Sequence, residues 1–288
     1  FGIPPPVQPR LLVSVRNASE AISAWRGGAD IIDLKEPQNG PLGAVSFAVP
    51  NDVLQSLRRL PSSPRVLLSV ALGEAREWLS PFTETSDQGL LLDALRQMVS
   101  ELQFLKMGLS TDVVSEPPRP RDILQQWANV RDLIDSSIQQ VSRRSDESAG
   151  VSLGDPELKH TGMAGPGWVA VAYADADRSG APSVTEVVDA AITSGCRGLL
   201  IDTFLKDGRG LFAWCSLAEL TEIRNRTREA GLFLALAGQI NAAAMDQLKV
   251  IQPDVIAVRG SVCRAGTRSL EIEEEAVRGL KRQISSTF

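Results

Sequence analysis

Lysine is scarce in this chain, and three of its lysines lie where predicted strands end. Lys35 closes the second predicted strand, Lys106 lies within the fourth, and Lys206 comes just after the sixth. Only six of the 30 cationic residues are lysines, so the chain otherwise uses arginine. Burial or a neighbouring like charge can free a lysine amine of its proton, whereas arginine stays charged. The three amines therefore favour Schiff-base chemistry, in which an uncharged lysine attacks a carbonyl carbon.

Carboxylates accompany these amines along the chain. Asp33 precedes Lys35 by two positions, so on a strand both side chains point to the same face, where we expect a hydrogen-bonded couple. Asp202 lies at the end of the sixth predicted strand. A second amine or a carboxylate in this set can move protons during the reaction. Taken singly, each residue has another interpretation, since a strand-end lysine can form a structural ion pair and Asp202 can cap a helix.

Glycine-rich segments at the ends of the last two predicted strands are typical of a phosphate site. Gly238 ends the seventh strand, and Arg259, Gly260 and Ser261 end and follow the eighth. In α/β barrels the backbone N–H groups of these two loops often hold an anion, and arginine adds charge-assisted hydrogen bonds. Asp175, at the end of the fifth strand, completes the predicted substrate-binding set. The alternatives are two ordinary strand-to-helix turns and, for Asp175, a turn residue.

The composition excludes several other kinds of function. The only histidine, His160, lies in a segment typical of a loop, which argues against a histidine-based zinc site or a Ser-His-Asp triad, so we expect no metal. A net charge of −5 argues against general binding to nucleic acid or anionic membranes. No apolar run approaches the about 20 residues of a membrane span. Cys196, Cys215 and Cys263 form no CxxC pair, which is typical of a reducing, cytoplasmic compartment.

Alternating strands and helices must position these residues. Runs of Val, Ile, Leu and Ala predict eight strands, each followed by a helix. The strands are predicted at 11–15, 29–35, 65–72, 103–109, 168–175, 197–203, 232–238 and 253–260. Eight such units, with no GxGxxG motif after the first strand, favour a single (β/α)8 TIM barrel over an open doubly wound sheet.

The barrel is predicted to form one domain. We expect it to span 11–288, after an extended N-terminal arm at 1–10. A polar stretch at 143–167, between the fourth helix and the fifth strand, is predicted to be a flexible insertion. Because the sites of such barrels lie at the carboxyl ends of the strands, the fold would bring the lysines together.

Longer segments around these residues are similar, in the same order, to one known family. They are LLVSVRNASEAISAWRGGADIIDLKEPQNGPLGA, LKMGL, AYADADRSGA, IDTFLKDGRGLF, LALAGQI and DVIAVRGSVCRAGTRS. Together they resemble the (5-formylfuran-3-yl)methyl phosphate synthases, archaeal enzymes of methanofuran biosynthesis. The resemblance implies a TIM-barrel lyase that condenses two molecules of glyceraldehyde 3-phosphate by class I aldolase-type chemistry, without a metal or organic cofactor. Its product would feed a methanofuran-type carrier for one-carbon metabolism.

The resemblance also implies a role for each candidate residue. The Schiff-base lysine of the family falls on Lys35, and its proton-transferring lysine falls on Lys106. The supporting acid and amine groups fall on Asp33, Asp202 and Lys206. The ligand is then a small phosphorylated triose, and a homo-oligomer is left open.

Two other functions stay open. DLKEPQ is similar to the Asp-x-Lys-x-x-Asp pattern of orotidine-monophosphate-decarboxylase-like enzymes, although Gln38 stands where that pattern has its second aspartate. Another phosphosugar barrel, that type or a class I aldolase, is therefore one alternative. The other is a barrel that binds a ligand without turnover, which the full set of lysines and aspartates disfavours.

Overall fold

Eight parallel strands close into a barrel in chain order, as the sequence predicts. The computed structural model describes residues 8–60, 66–80, 83–111, 118–145 and 165–288. The strands are β1 Arg10–Val15, β2 Ile31–Leu34, β3 Leu67–Glu74, β4 Leu102–Gly108, β5 Gly167–Tyr173, β6 Gly198–Asp202, β7 Phe233–Leu236 and β8 Val255–Val258. The pairing of β8 with β1 closes the barrel, with Arg10 opposite Val255.

Each strand is followed by a helix that covers the outside of the barrel. The helices are α1 Ala18–Arg26, α2 Ala48–Arg58, α3 Asp87–Gln97, α4 Pro120–Ser145, α5 Val184–Thr193, α6 Leu217–Glu229, α7 Met245–Ile251 and α8 Glu274–Thr287. Polar caps start several of them, as Ser183 and Ser216 do in capping boxes with Glu186 and Glu219. None of the helices in the described ranges is long and apolar enough to span a membrane.

Most residues of the strands are apolar because both faces of each strand are buried. Leu12 packs inside the barrel with Val171 and Ala235. Its neighbour Val13 points the other way and packs with Ile32 in the layer between the barrel and the helices. This arrangement explains why the strands are runs of Val, Ile, Leu and Ala rather than strict alternations of apolar and polar residues.

The element boundaries differ from the predicted ones at several places. β1 begins at Arg10, so the barrel begins one residue before the predicted boundary. β3 ends at Glu74, two residues later than predicted, next to irregular pairing with β4. Helix α4 continues to Ser145 and β5 begins at Gly167, so both ends of the predicted insertion belong to regular elements. Residues 146–164 of that insertion, which include His160, lie outside the described residues, as do residues 1–7.

Candidate active site

The structure brings the three strand-end lysines together at the carboxyl end of the barrel. Lys35 follows β2, Lys106 lies near the end of β4, and Lys206 lies on the loop after β6. These three lysines and Asp202 line one cavity of about 760 Å³. Strands far apart in the chain therefore supply one set of amines to one shared space.

Asp33 pairs with Lys106 rather than with Lys35. Lys106 Nζ lies 2.7 Å from Asp33 Oδ1, and Ser14 Oγ donates a 2.9 Å hydrogen bond to Asp33 Oδ2. Asp33 and Ser14 are neighbours across β1 and β2, and the Asp33 side chain is fully buried. The predicted Asp33–Lys35 couple is therefore wrong. Residues two apart on a strand are separated by about 6.6 Å, and Lys35 lies beyond the end of β2.

Lys35 and Lys206 share the carboxylate of Asp202 unequally. Lys206 Nζ lies 2.7 Å from Asp202 Oδ1 and also donates to the carbonyl and hydroxyl oxygens of Thr203, at 2.5 and 3.0 Å. Lys35 Nζ lies 4.0 Å from Asp202 Oδ2, although the Lys35 side chain is only 10% exposed. Within the described part of the chain, Lys35 is therefore a buried amine without a close counter-charge.

This environment favours the uncharged form of Lys35. Burial lowers the pKa of Lys35 to about 8, the ammonium groups of Lys106 and Lys206 act in the same direction, and Asp202 and Asp33 oppose them. Burial raises the pKa of Asp202, but the charges of Lys206 and Lys35 outweigh it, so the pKa is lowered overall. With a pKa near 8, about one tenth of the Lys35 amines are uncharged at pH 7. Lys35 therefore has the character of a nucleophile toward a carbonyl.

The glycines predicted to bind phosphate border the same cavity. Gly238, Gly260 and Ser261 all line it. Gly238 has a φ of +95°, and a Cβ there would lie 3.0 Å from Thr203 Cγ2, so a larger residue would be strained and crowded. Gly260 and Ser261 open a short turn in which Val262 N–H donates to the Arg259 carbonyl. Val262 is the first residue of the turn whose N–H has an acceptor within it, so the N–H groups of Gly260 and Ser261 have none there.

The structure contradicts the predicted phosphate-binding role of Arg259. Its guanidinium makes two hydrogen bonds to the Glu20 carboxylate, at 2.8 and 3.2 Å. The other three go to the carbonyls of Ser14, Arg268 and Leu270, at 2.9, 2.8 and 3.3 Å. An arginine has five N–H donors, so none remains for a phosphate. Arg259 instead ties β8 to α1 and to the loop that precedes α8.

Asp175 also has a different role from the predicted one. Its two carboxylate oxygens accept hydrogen bonds from the backbone N–H groups of Phe204 and Leu205, at 2.5 and 2.9 Å. The side chain is buried, and a carboxylate would in any case repel a phosphate. Asp175 therefore holds the start of the loop after β6, which carries Lys206.

Tyr173 and Glu74 form a further buried polar pair, close to Asp202. Tyr173 donates its hydroxyl to Glu74 Oε1 at 2.6 Å, and Glu74 Oε2 accepts the Ser110 N–H at 2.8 Å. Burial raises the pKa of both Glu74 and Tyr173. Gly108 makes room for the pair, since a Cβ there would overlap the Glu74 carboxylate. Sequence reasoning missed Glu74 because it ended the third strand at residue 72.

Comparison with known proteins identifies the family of the chain. The sequence model of the 4-HFC-P synthase family matches residues 11–281. The chain belongs to the 4-HFC-P synthase family. It is 30% identical over 277 residues to the (5-formylfuran-3-yl)methyl phosphate synthase of Methanothermobacter thermautotrophicus, which covers 96% of this chain and 99% of the relative. A protein of the same name from Methanococcus maripaludis strain C5 is 31% identical over 259 residues, 90% of this chain and 92% of the relative.

Solved structures agree on the fold of this family member. Phosphoribosyl anthranilate isomerase from Thermus thermophilus superposes with a TM-score of 0.53 and 13% sequence identity, covering 97% of this chain and all of that chain. At this identity the likeness shows the barrel fold alone. The resemblance to the 4-HFC-P synthase family that the sequence segments indicate is confirmed by the family match.

The site of this 4-HFC-P synthase family member also contains residues that sequence reasoning missed. Arg268 lines the cavity from the loop between β8 and α8, and Thr203 accepts hydrogen bonds from Lys206. Besides Arg259 the loop holds Arg264 and Arg268, and no sequence signal separates the one that pairs with Glu271 at the surface from the one that reaches the cavity. Thr203 could not be found from the sequence, because its hydroxyl joins the site only through the hydrogen bond from Lys206, which forms when the loop after β6 folds back.

The cavity suits an anionic ligand. Lys35, Lys106, Lys206 and Arg268 all face it, and Asp202 is the only carboxylate among the described residues that lines it directly. In the described part of the chain, no group of three or more His, Cys, Asp or Glu side chains is placed to hold a metal ion. The residues of this family member thus offer amines and an anion pocket to a substrate.

Proposed function

We propose that this protein makes (5-formylfuran-3-yl)methyl phosphate from two molecules of glyceraldehyde 3-phosphate through a Schiff base on Lys35. One observation carries the proposal: Lys35 is a buried amine 4.0 Å from the nearest carboxylate oxygen, with a pKa lowered to about 8. Family membership supports the product, since the relatives are named for its synthesis. The excess of cations around the cavity supports a phosphorylated substrate.

The proposed reaction is that of a carbon–oxygen lyase and balances without an external oxidant or reductant. Lys35 Nζ bonds to the carbonyl carbon of one triose phosphate, and the carbonyl oxygen leaves as water to give an iminium. Loss of a proton from the adjacent carbon gives an enamine, which forms the new carbon–carbon bond to the aldehyde of the second molecule. Elimination, ring closure and release from Lys35 complete the furan. Overall, two triose phosphates give one product, one phosphate and two waters.

Lys106 is proposed to transfer protons in these steps. Its amine forms an ion pair with Asp33, 2.7 Å from Oδ1, and the two groups together can accept and return a proton as the substrate changes charge. The negative charge of Asp202 favours the charged form of Lys35, whereas the positive charge of Lys206 favours its uncharged form. Lys206 holds Asp202 at 2.7 Å and so keeps that carboxylate from pairing closely with Lys35.

The test is product identification by mass spectrometry after incubation with glyceraldehyde 3-phosphate alone. The furan phosphate and an equal amount of inorganic phosphate are expected. Borohydride added during the reaction should attach the triose to Lys35, and peptide mass spectrometry should locate it there. Lys35→Ala should abolish both trapping and turnover, whereas Lys249→Ala, an exposed lysine of α7, should change neither. Trapping that persists at full extent in Lys35→Ala would remove Lys35 from this role.

A second variant separates capture of the substrate from the later steps. Lys106→Ala should still be trapped by borohydride, because Lys35 is intact. Its turnover should fall about 10³-fold, in the range that general acid–base groups contribute. Full turnover in Lys106→Ala would exclude this lysine from proton transfer.

A further inference from the structure

The cationic side chains of the cavity wall outnumber the carboxylates that neutralise them. Three have a carboxylate oxygen within 2.8 Å, and the pairs are Lys106–Asp33, Lys206–Asp202 and Arg259–Glu20. Lys35 has only its 4.0 Å share of Asp202. Arg268 is the remaining cation on the wall, and among the described residues no carboxylate lies within ion-pair distance of it.

Arg268 is half-buried in this position. Burial lowers the pKa of Arg268 while the charge of Asp202 acts in the opposite direction, which places its guanidinium in the field of the lysine site. Arginine nevertheless keeps its charge at neutral pH. A guanidinium withdrawn from water without a partner is costly, so an anionic ligand in the cavity would relieve that cost. Its planar N–H donors match the oxygens of a phosphate.

The protein holds the backbone of Arg268 in place before any ligand arrives. Arg259 donates to the carbonyls of Arg268 and Leu270, at 2.8 and 3.3 Å, on either side of the intervening residue. Ala265 and Gly266 both have positive φ, +52° and +65°, and turn the chain just before Arg268. An isolated bridge between Cys263 and Ile272 closes the loop at its base. The loop is therefore fixed at both ends and at Arg268 itself.

Arg268 lies next to the turn that Gly260 opens, since a Cβ on Gly260 would lie 3.7 Å from Arg268 Cβ. Gly238 comes from the loop after β7, and Gly260 and Ser261 come from the start of the loop that carries Arg268. The N–H groups of Gly260 and Ser261 have no acceptor in their own turn, and Arg268 borders the same cavity. Backbone donors from the turn and a side-chain cation can therefore address the same anion.

We propose that Arg268 binds the phosphate group of the phosphorylated substrate and, together with Gly260 and Ser261, forms the phosphate subsite of the cavity. The identity of the phosphate ester rests on the function proposed above, whereas the subsite itself can be tested with inorganic phosphate. Arg268 is then a substrate-binding residue. It orients the substrate so that its carbonyl reaches Lys35, and it takes the place predicted for Arg259.

Calorimetric titration of inorganic phosphate into the full chain tests the subsite without relying on turnover. Arg268→Ala should weaken phosphate binding at least about tenfold, the effect of losing a charge-assisted pair, and Arg268→Lys should fall between the two. Arg282→Ala removes one charge from the exposed face of α8 and should leave binding unchanged. Unaltered phosphate binding in Arg268→Ala, or no phosphate binding by the wild-type protein, would overturn the proposal.

Kinetics then separate this proposal from the proposed function. With glyceraldehyde 3-phosphate, Arg268→Ala should raise KM about tenfold, while borohydride trapping of unphosphorylated glyceraldehyde on Lys35 should stay at the wild-type level. Product formation with a wild-type KM in Arg268→Ala would refute the role of Arg268 and leave the function standing. Loss of phosphate binding in Arg268→Ala, with no furan made by the wild type, would support the subsite and refute the function.

Discussion

Two of the buried charged groups at the carboxyl end of this barrel, the Glu20–Arg259 pair and the lysine cluster, are built differently. In the Glu20–Arg259 pair all five guanidinium N–H groups have acceptors, at 2.8 to 3.3 Å. In the lysine cluster, which comprises Lys35, Lys106, Lys206, Asp33 and Asp202, the central amine of Lys35 lies 4.0 Å from its nearest carboxylate oxygen. One group is saturated with hydrogen bonds and the other is not.

The pKa shifts have opposite meanings in the two groups. Burial raises the pKa of Glu20, but the hydrogen bonds from Arg259 and Arg16 outweigh it, so the pKa is lowered and the folded state favours the charged form. Burial lowers the pKa of Lys35 to about 8, so the folded state disfavours the charged form. The Glu20 carboxylate stabilises the fold, whereas the buried amine of Lys35 costs stability and gains reactivity. The Glu20–Arg259 pair, with complete hydrogen bonding, is thus structural, whereas Lys35, with incomplete pairing, is reactive.

The largest expected effect on stability comes from breaking the saturated pair. Glu20→Ala leaves the buried guanidinium of Arg259 without its carboxylate and should lower the free energy of unfolding by about 3–5 kcal/mol. Urea denaturation at pH 7 measures this. Because the pKa of Glu20 is lowered, its stabilisation is present above the unfolded value of 4.5 and is lost as the pH falls through the folded value.

Glu271→Ala is the control for this variant. Glu271 lies 3.6 Å from Arg264, and both side chains are exposed, so its removal should change stability by less than about 1 kcal/mol. If Glu20→Ala were no more destabilising than Glu271→Ala, the contrast between the two buried groups would disappear.

The second expected effect is an increase in the free energy of unfolding, on replacement of Lys35. A pKa of about 8 in the folded state, against 10.5 for a free lysine, means that burying the charged amine of Lys35 costs about 3 kcal/mol at pH 7. Lys35→Met removes this cost and should raise the free energy of unfolding by about 2 kcal/mol while abolishing turnover. In the wild type the cost declines as the pH rises from about 8 to 10.5, so the gain from Lys35→Met should shrink over that interval. Destabilisation by Lys35→Met at pH 7 would show that Lys35 is a structural residue.

The smallest effect is a displacement of the pH profile. Trapping on Lys35 should increase with pH and level off above about 8, because only the uncharged amine reacts. Asp202→Asn removes the carboxylate that favours the ammonium form, so the midpoint should fall by about one pH unit. The rate of borohydride trapping between pH 5 and 10 measures it. A midpoint that moves upward would mean that Asp202 does not act on Lys35 through its charge.

Much of the fold could be predicted from the sequence because both faces of each strand are buried. That burial leaves apolar runs such as LLI at 199–201, which indicate strands without knowledge of their neighbours. The position of Lys35, Lys106 and Asp202 at one end of the barrel follows from the same topology. The ends of elements were less predictable, because β3 continues to Glu74 through irregular pairing with β4.

The order of the eight strand–helix units and the types of side chain that follow the strands can be read from the amino-acid sequence alone. The pairing of charged groups emerges only in the folded barrel, because a pair depends on distances between residues far apart in the chain. Asp33 pairs with Lys106 and not with Lys35. Arg259 pairs with Glu20, 239 positions away in the chain, so Arg268 is the arginine that is available to a ligand in the cavity. The pairing of the carboxylates determines the charge of Lys35, since electrostatic interactions depend on separation and burial rather than on position in the chain.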